Sequence, residues 1–178
     1  MRRVAPLIAV VVAVVIAGLV IVFAGSKPAQ ESAQTNLMGE PAPDAVGTLL
    51  DGGRFDLSRR KGDWVVLNFM QSSCVPCQQE QPELVKFVAA QAAQPGGARF
   101  YSVVYDDTRA NVEEFFAKEG GGWPVVMDDK GSIATAFGVS QVPETWIIDP
   151  QGYVRYRVIS EVTAELLGST LERLREAT

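Results

Sequence analysis

Residues Asn68–Pro82 read NFMQSSCVPCQQEQP and hold both cysteines of the chain, Cys74 and Cys77, separated only by Val75 and Pro76. The stretch follows Trp64–Met70, an apolar run with the length and composition of a buried central strand. A helix is expected from Cys74 to about Ala93, ended by Pro95-Gly96-Gly97. A structural zinc site wants four ligands, mostly Cys and His. This chain has two cysteines and no histidine. Covalent haem attachment wants a histidine directly after the second cysteine, and Gln78 stands there. A structural disulfide fits the i, i+3 geometry of a helix. It is a poor staple, however: closing four residues is worth about 2 kcal/mol on loop-entropy grounds, against about 3 for fifteen. A redox dithiol remains, and it needs neither metal nor cofactor.

Local physics favours that reading. Ser72 or Ser73 is suited to cap the helix. Cys74 would then lie where free backbone N–H groups and the positive end of the helix dipole stabilise a thiolate. Such placements bring a thiol from about 8.5 to between roughly 3.5 and 7.5. Pro76 falls in the first turn, where its missing N–H costs little, and Pro82 lies deep enough to kink the helix. Cys74 is thus the expected attacking thiolate, and Cys77 the thiol that resolves the mixed disulfide.

The rest of the chain alternates strands and helices. Leu49-Leu50 and Arg54–Leu57, around Asp51-Gly52-Gly53, read as a hairpin. Phe100–Tyr105 reads as a second buried strand, Thr108–Glu119 as a helix, Val125–Met127 as a short strand and Ser132–Phe137 as a short helix. Thr145–Asp149 and Tyr153–Ile159 pair through an Asp-Pro-Gln-Gly turn, and Thr163–Glu176 is an amphipathic closing helix. The order implies a mixed sheet with helices on both faces.

Ahead of this domain, Val4–Ala24 carries no charge and follows Arg2-Arg3. Its 21 residues make about 31 Å of helix, enough to cross a bilayer. The expected organisation is a transmembrane anchor at 1–24, a small, polar tether at 25–40 and a globular domain at 41–178. The arginines would keep the N-terminus in the cytoplasm and the domain outside it. A cleaved signal peptide is the alternative, although its apolar region is typically only about 7 to 15 residues. A net charge of -5, with Arg59-Arg60-Lys61 the only basic run, argues against nucleic acid.

Two separated motifs, Cys74-Val-Pro-Cys77-Gln-Gln-Glu80-Gln-Pro82 and Gly138-Val-Ser-Gln-Val-Pro143-Glu144-Thr145-Trp-Ile-Ile-Asp149, resemble those of the membrane-tethered thioredoxin-like TlpA, ResA and DsbE/CcmG group. Tyr153-Val-Arg-Tyr-Arg157 extends the likeness to the DsbE/CcmG branch. The likeness covers about Pro41–Thr178 and implies a thioredoxin fold with an N-terminal β-hairpin and a helix–strand insert at about Arg109–Met127. It also implies a cis Val142–Pro143 bond against the dithiol, although only about 5–6% of X–Pro bonds are cis. By the same resemblance Glu80 is a functional acid beside Cys77, and Val75, Pro76, Val142 and Glu144 are expected to line the substrate surface. The implied activity is thiol–disulfide exchange outside the cytoplasm of a bacterial cell, on a single-pass anchor. The implied partners are apocytochrome c or other exported thiol proteins, with electrons from a membrane thiol carrier of the CcdA/DsbD kind. An oxidase or isomerase forming disulfides in exported proteins is the alternative. A redox-inactive binding module fits poorly with an intact C-x-x-C, and a peroxiredoxin would want T-x-x-C where Ser72-Ser73-Cys74 stands. Two departures from the group bear on substrate preference: Ser73 stands where a tryptophan is usual, and Met70 replaces a common aromatic. Asn68 occupies the place of thioredoxin's buried aspartate and cannot titrate. Glu80 and Glu144 are therefore the acids to examine, each with the alternative of being an ordinary solvated glutamate.

Overall fold

The computed structural model describes residues 36–178. The expected anchor, Val4–Ala24, and most of the tether lie outside them. Among the described residues no helix is long and apolar enough to cross a membrane.

Seven strands form one sheet: β1 (Val46–Leu49), β2 (Arg54–Asp56), β3 (Val65–Met70), β4 (Arg99–Val104), β5 (Val125–Met127), β6 (Glu144–Ile148) and β7 (Val154–Ile159). Their order is β2-β1-β5-β4-β3-β6-β7. β3, β4 and β5 run parallel, while β1 and β6 flank this trio antiparallel. Among the described residues four α-helices complete the fold: α1 (Val75–Ala92), α2 (Arg109–Glu119), α3 (Ser132–Phe137) and α4 (Ala164–Glu176). The insert is α2 and β5, and β5 slots between β4 and the hairpin strand β1.

Strand alternation divides the core. Val65, Leu67 and Phe69 of β3 pack with Trp146, Phe137 and Ile133 on the α3 side. Val66 packs with Leu84 and Phe87 of α1 and with Leu167 and Leu171 of α4 on the other side. Every residue of β3 is buried, as its largely apolar character predicts, and the polar Asn68 is buried with the rest. By the same alternation Asn68 and Met70 point toward α1.

Two boundaries differ from the expectation. Leu37 and Met38 pack against the core, and Gly39 and Glu40 hydrogen-bond to Val154, so the last residues read as tether belong to the fold. Leu57 and the arginines after it form a 3₁₀ turn, Leu57–Arg60, capped by Asp56, instead of extending β2.

Candidate active site

The end of β3 delivers the chain to the N-terminus of α1, where Cys74 and Cys77 are joined by a disulfide with Cα atoms 5.2 Å apart. Neither serine caps the helix. Cys74 is itself the N-cap residue, with extended backbone angles, and its Sγ accepts the Cys77 N–H at 3.1 Å. The reason is tertiary. The Ser72 N–H donates to Asp107 Oδ2 at 2.6 Å, the Gln71 side chain donates to the Tyr105 carbonyl, and Gln78 Nε2 donates to the Ser72 carbonyl at 2.8 Å. These contacts hold the loop before Cys74 in place and leave the sulfur to do the capping. Cys74 is half-buried, whereas Cys77 is only 2% exposed. Val75, at 59% exposure, forms the outer rim beside them, with Pro76 half-buried.

The Val142–Pro143 peptide is cis, as the resemblance implies. Val142 packs in the same cluster as Cys74, Cys77 and Met70, which brings the two sequence motifs together. Pro143 is buried.

Glu80 is 2% exposed, so it is not a solvated surface glutamate. Its Oε1 accepts from Asn68 Nδ2 at 2.8 Å and its Oε2 from the Val162 N–H at 3.0 Å. Burial, only partly offset by these two donors and reinforced by Glu161, raises its pKa to about 7. A carboxyl balanced near neutrality, one helical turn beyond the buried Cys77, can accept or return a proton in the ordinary pH range.

Glu144 corrects the expectation of a substrate contact. Its side chain is fully buried, accepting from Arg157 Nε at 2.9 Å, from Arg157 Nη2 at 3.0 Å and from Trp146 Nε1 at 2.6 Å. Arg157 also lies over the Trp146 ring and donates to the Gly138 carbonyl. Burial raises the Glu144 carboxyl, against the pull of Arg157. The pair ties β6 and β7 to the segment leading into Val142–Pro143 and presents no carboxylate to a docking partner.

Asp107, which no sequence motif singles out, belongs to the site. Burial pushes its carboxyl up, but hydrogen bonds from Ser72, Thr108 and Asn111 outweigh burial and hold it below the usual range. It therefore sets a fixed negative charge beside the loop that carries Cys74. A shallow groove between α1 and α2, lined by Ser72, Ser73, Gln78, Asn111, Phe115 and Lys118, opens next to the dithiol. Ser73, in the position where the resembled group has a tryptophan, leaves this groove uncovered.

The arrangement matches known proteins over most of its length. The model of the AhpC/TSA family matches residues 38–157. The thiol–disulfide oxidoreductase ResA of Geobacillus thermodenitrificans is 30% identical over 138 residues, which cover 78% of this chain and 78% of that protein. ResA of Bacillus subtilis is 31% identical over 146 residues, covering 82% and 76%. Among solved structures, a putative thiol:disulfide interchange protein DsbE from Chlorobium tepidum superposes with a TM-score of 0.68 at 27% identity, covering 78% of this chain and 96% of that one. MTB DsbF, solved in mixed oxidised and reduced forms, gives 0.67 at 27% identity, covering 73% and 94%. With a dithiol at the head of α1 of a thioredoxin-like fold, the chain belongs to the AhpC/TSA family and is a thiol–disulfide oxidoreductase of the ResA/DsbE type.

Proposed function

We propose that the protein is a membrane-anchored reductant working outside the cytoplasm, which reduces the disulfide of apocytochrome c so that haem can be attached. The observation that carries the chemistry is the asymmetry of the two sulfurs: Cys74 is accessible at the helix N-cap, whereas Cys77 is buried one turn from Glu80. The Cys74 thiolate attacks one sulfur of the substrate disulfide, forming a mixed disulfide and releasing the other substrate sulfur as a thiolate. Cys77 then loses its proton to Glu80 and attacks the Cys74 sulfur. That closes the Cys74–Cys77 disulfide and releases the second substrate thiolate. The substrate has gained two electrons, which a membrane thiol carrier of the CcdA/DsbD kind restores to the pair. Val75, Pro76 and Val142 form the apolar rim against which the substrate chain lies, and Pro143 holds that rim in place.

The choice of cytochrome c maturation rests on the likeness to the ResA and DsbE group and on the expected anchor at Val4–Ala24. The deciding measurement is the equilibrium potential of the Cys74–Cys77 pair, together with reduction of a disulfide-closed C-x-x-C-H peptide. Dithiols of this fold span about -270 to about -120 mV. A value below about -200 mV with peptide reduction is expected. A value above about -150 mV, with rapid oxidation of reduced unfolded substrates, would transfer the protein to oxidative folding of exported proteins. A mature N-terminus near Gly25 in a soluble fraction would remove the anchor from the proposal.

A further inference from the structure

One buried acceptor at the centre of the site has no donor. Asn68 is 1% exposed, and its Nδ2 donates both to Glu80 Oε1 at 2.8 Å and to Thr145 Oγ1 at 3.1 Å. Its Oδ1 is buried without a hydrogen bond. An orphaned carbonyl in a packed core is costly and calls for a reason. The reason lies in what surrounds Glu80. An ionised carboxylate only accepts, and here each oxygen has one donor, Asn68 Nδ2 or the Val162 N–H. A protonated Glu80 brings an O–H that neither of these two donors can accept. Turning the Asn68 amide about its Cβ–Cγ bond exchanges Nδ2 for Oδ1. The oxygen then accepts from both the Glu80 O–H and the Thr145 hydroxyl, so both contacts survive with their direction reversed.

We propose that Asn68 is a positioning residue for proton transfer at the dithiol, its amide turning with Glu80: nitrogen toward the carboxylate, oxygen toward the acid, with the Thr145 hydroxyl reversing in step. Turning leaves Nδ2 orphaned where Oδ1 was, so each state carries one unsatisfied buried atom. Neither orientation locks Glu80 into one charge state, and the group stays free to take a proton and return it. The titratable groups facing Glu80 are few. Along α1 they are Cys77 and Glu83, the latter held by Lys86 and the Ala164 N–H. From the segment ahead of α4 the charge is Glu161. β3 and β6 contribute Asn68 and Thr145, which do not titrate.

The inference rests on Glu80 being the proton acceptor for Cys77, and the test separates the two claims. In the oxidised full chain in detergent micelles, the Glu80 carboxyl carbon and the Asn68 side-chain amide are followed by NMR against pH. The Asn68 amide resonances should move with the same midpoint as the Glu80 carboxyl and stop moving in Glu80→Gln. Asn68→Leu removes the donor of the ionised state and the acceptor of the acid together, so the Glu80 midpoint should move by well under the about one to two pH units that loss of a donor to the charged form alone would cause. The pH profile of thiol exchange should follow the Glu80 midpoint. An Asn68 amide that stays silent while Glu80 titrates overturns the proposal, as does a Glu80 midpoint raised by that full amount in Asn68→Leu. If both resonances respond but the exchange profile does not, the amide coupling stands and the catalytic reading of Glu80 fails. Should Asn68→Leu not fold, the wild-type titration with its Glu80→Gln control decides alone.

Discussion

Glu80 should make the oxidised protein less stable as pH rises. Its carboxyl lies at about 7 in the folded protein, against an ordinary value of 4.5. Between those limits the folded state holds a proton that the unfolded state has lost. The slope of unfolding free energy with pH is therefore negative across that window. The stabilising contribution is complete below about pH 4.5 and exhausted once pH has risen past about 7. At about 1.36 kcal/mol per pH unit the full loss is about 3 kcal/mol, and Glu80 is too buried for solvent to screen much of it. With urea slopes of about 1–3 kcal/mol per molar, the midpoint should fall by on the order of 1–3 M between pH 4.5 and pH 8. The assay is urea unfolding of the oxidised chain at several pH values, where neither thiol titrates. Glu80→Gln supplies the reference, because Glu144 is also shifted upward and adds a dependence of the same sign. Subtracting the variant isolates Glu80. A wild-type slope identical to that of Glu80→Gln would show that Glu80 ionises freely in the folded protein, and the proton-acceptor argument would fall with it.

In the reduced protein, iodoacetamide should modify Cys74 far faster than Cys77, because Cys74 is both accessible and at the helix terminus. Equal rates in peptide mapping would contradict the assignment, and Cys77→Ser should trap substrates as mixed disulfides. Arg157→Met leaves the Glu144 carboxylate buried without its cation and should cost about 3–5 kcal/mol in denaturant unfolding. Adding Glu144→Gln should restore much of that loss; a double variant no better than the single one would mean that Arg157 acts through Trp146 and Gly138 instead.

The elements were legible in the sequence because each carries a local signal. The buried strand before Cys74, the glycine-rich hairpin turn and the Asp-Pro-Gln-Gly turn all fall where their patterns place them. What escaped was tertiary. The pattern on α1 hides Glu80, since its buried face runs through Cys77, Glu80, Gln81, Leu84, Phe87 and Gln91. Three polar residues on that face blur the periodicity that normally separates core from surface. Serines outrank cysteine as helix caps by propensity, yet Asp107, 35 residues downstream of Ser72, decides which residue caps. The Glu144–Arg157 pair was hidden by a bulge. A regular ladder counted outward from Ile148 opposite Val154 would set Arg157 against Thr145, on the α1 side of the sheet. The register shift between Ile147 and Ile148 sets it against Trp146 instead, on the same face as Glu144.

That same shift bears on the direction of electron flow, because a carboxylate near Cys74 opposes its thiolate. In the structure Glu144 has its own cation, so its negative charge is answered locally. Asp107 takes its place: a carboxylate held below the usual range, hydrogen-bonded to the second residue before Cys74. Against it stand the helix terminus and the Cys77 N–H on Cys74 Sγ. A strong oxidant of this fold needs a heavily stabilised thiolate in its reduced form. Here the stabilising donors face one fixed negative charge at Asp107 and, above about pH 7, a second at Glu80. The two charges act on different steps. Asp107 lies at the loop carrying Cys74 and weighs on the attacking thiolate at any physiological pH. Glu80 lies behind Cys77 and weighs on the resolving thiol only once it has lost its proton, so the two sulfurs are tuned separately. Both carboxylates favour the disulfide over the thiolate, which is the direction the proposed reductant role requires.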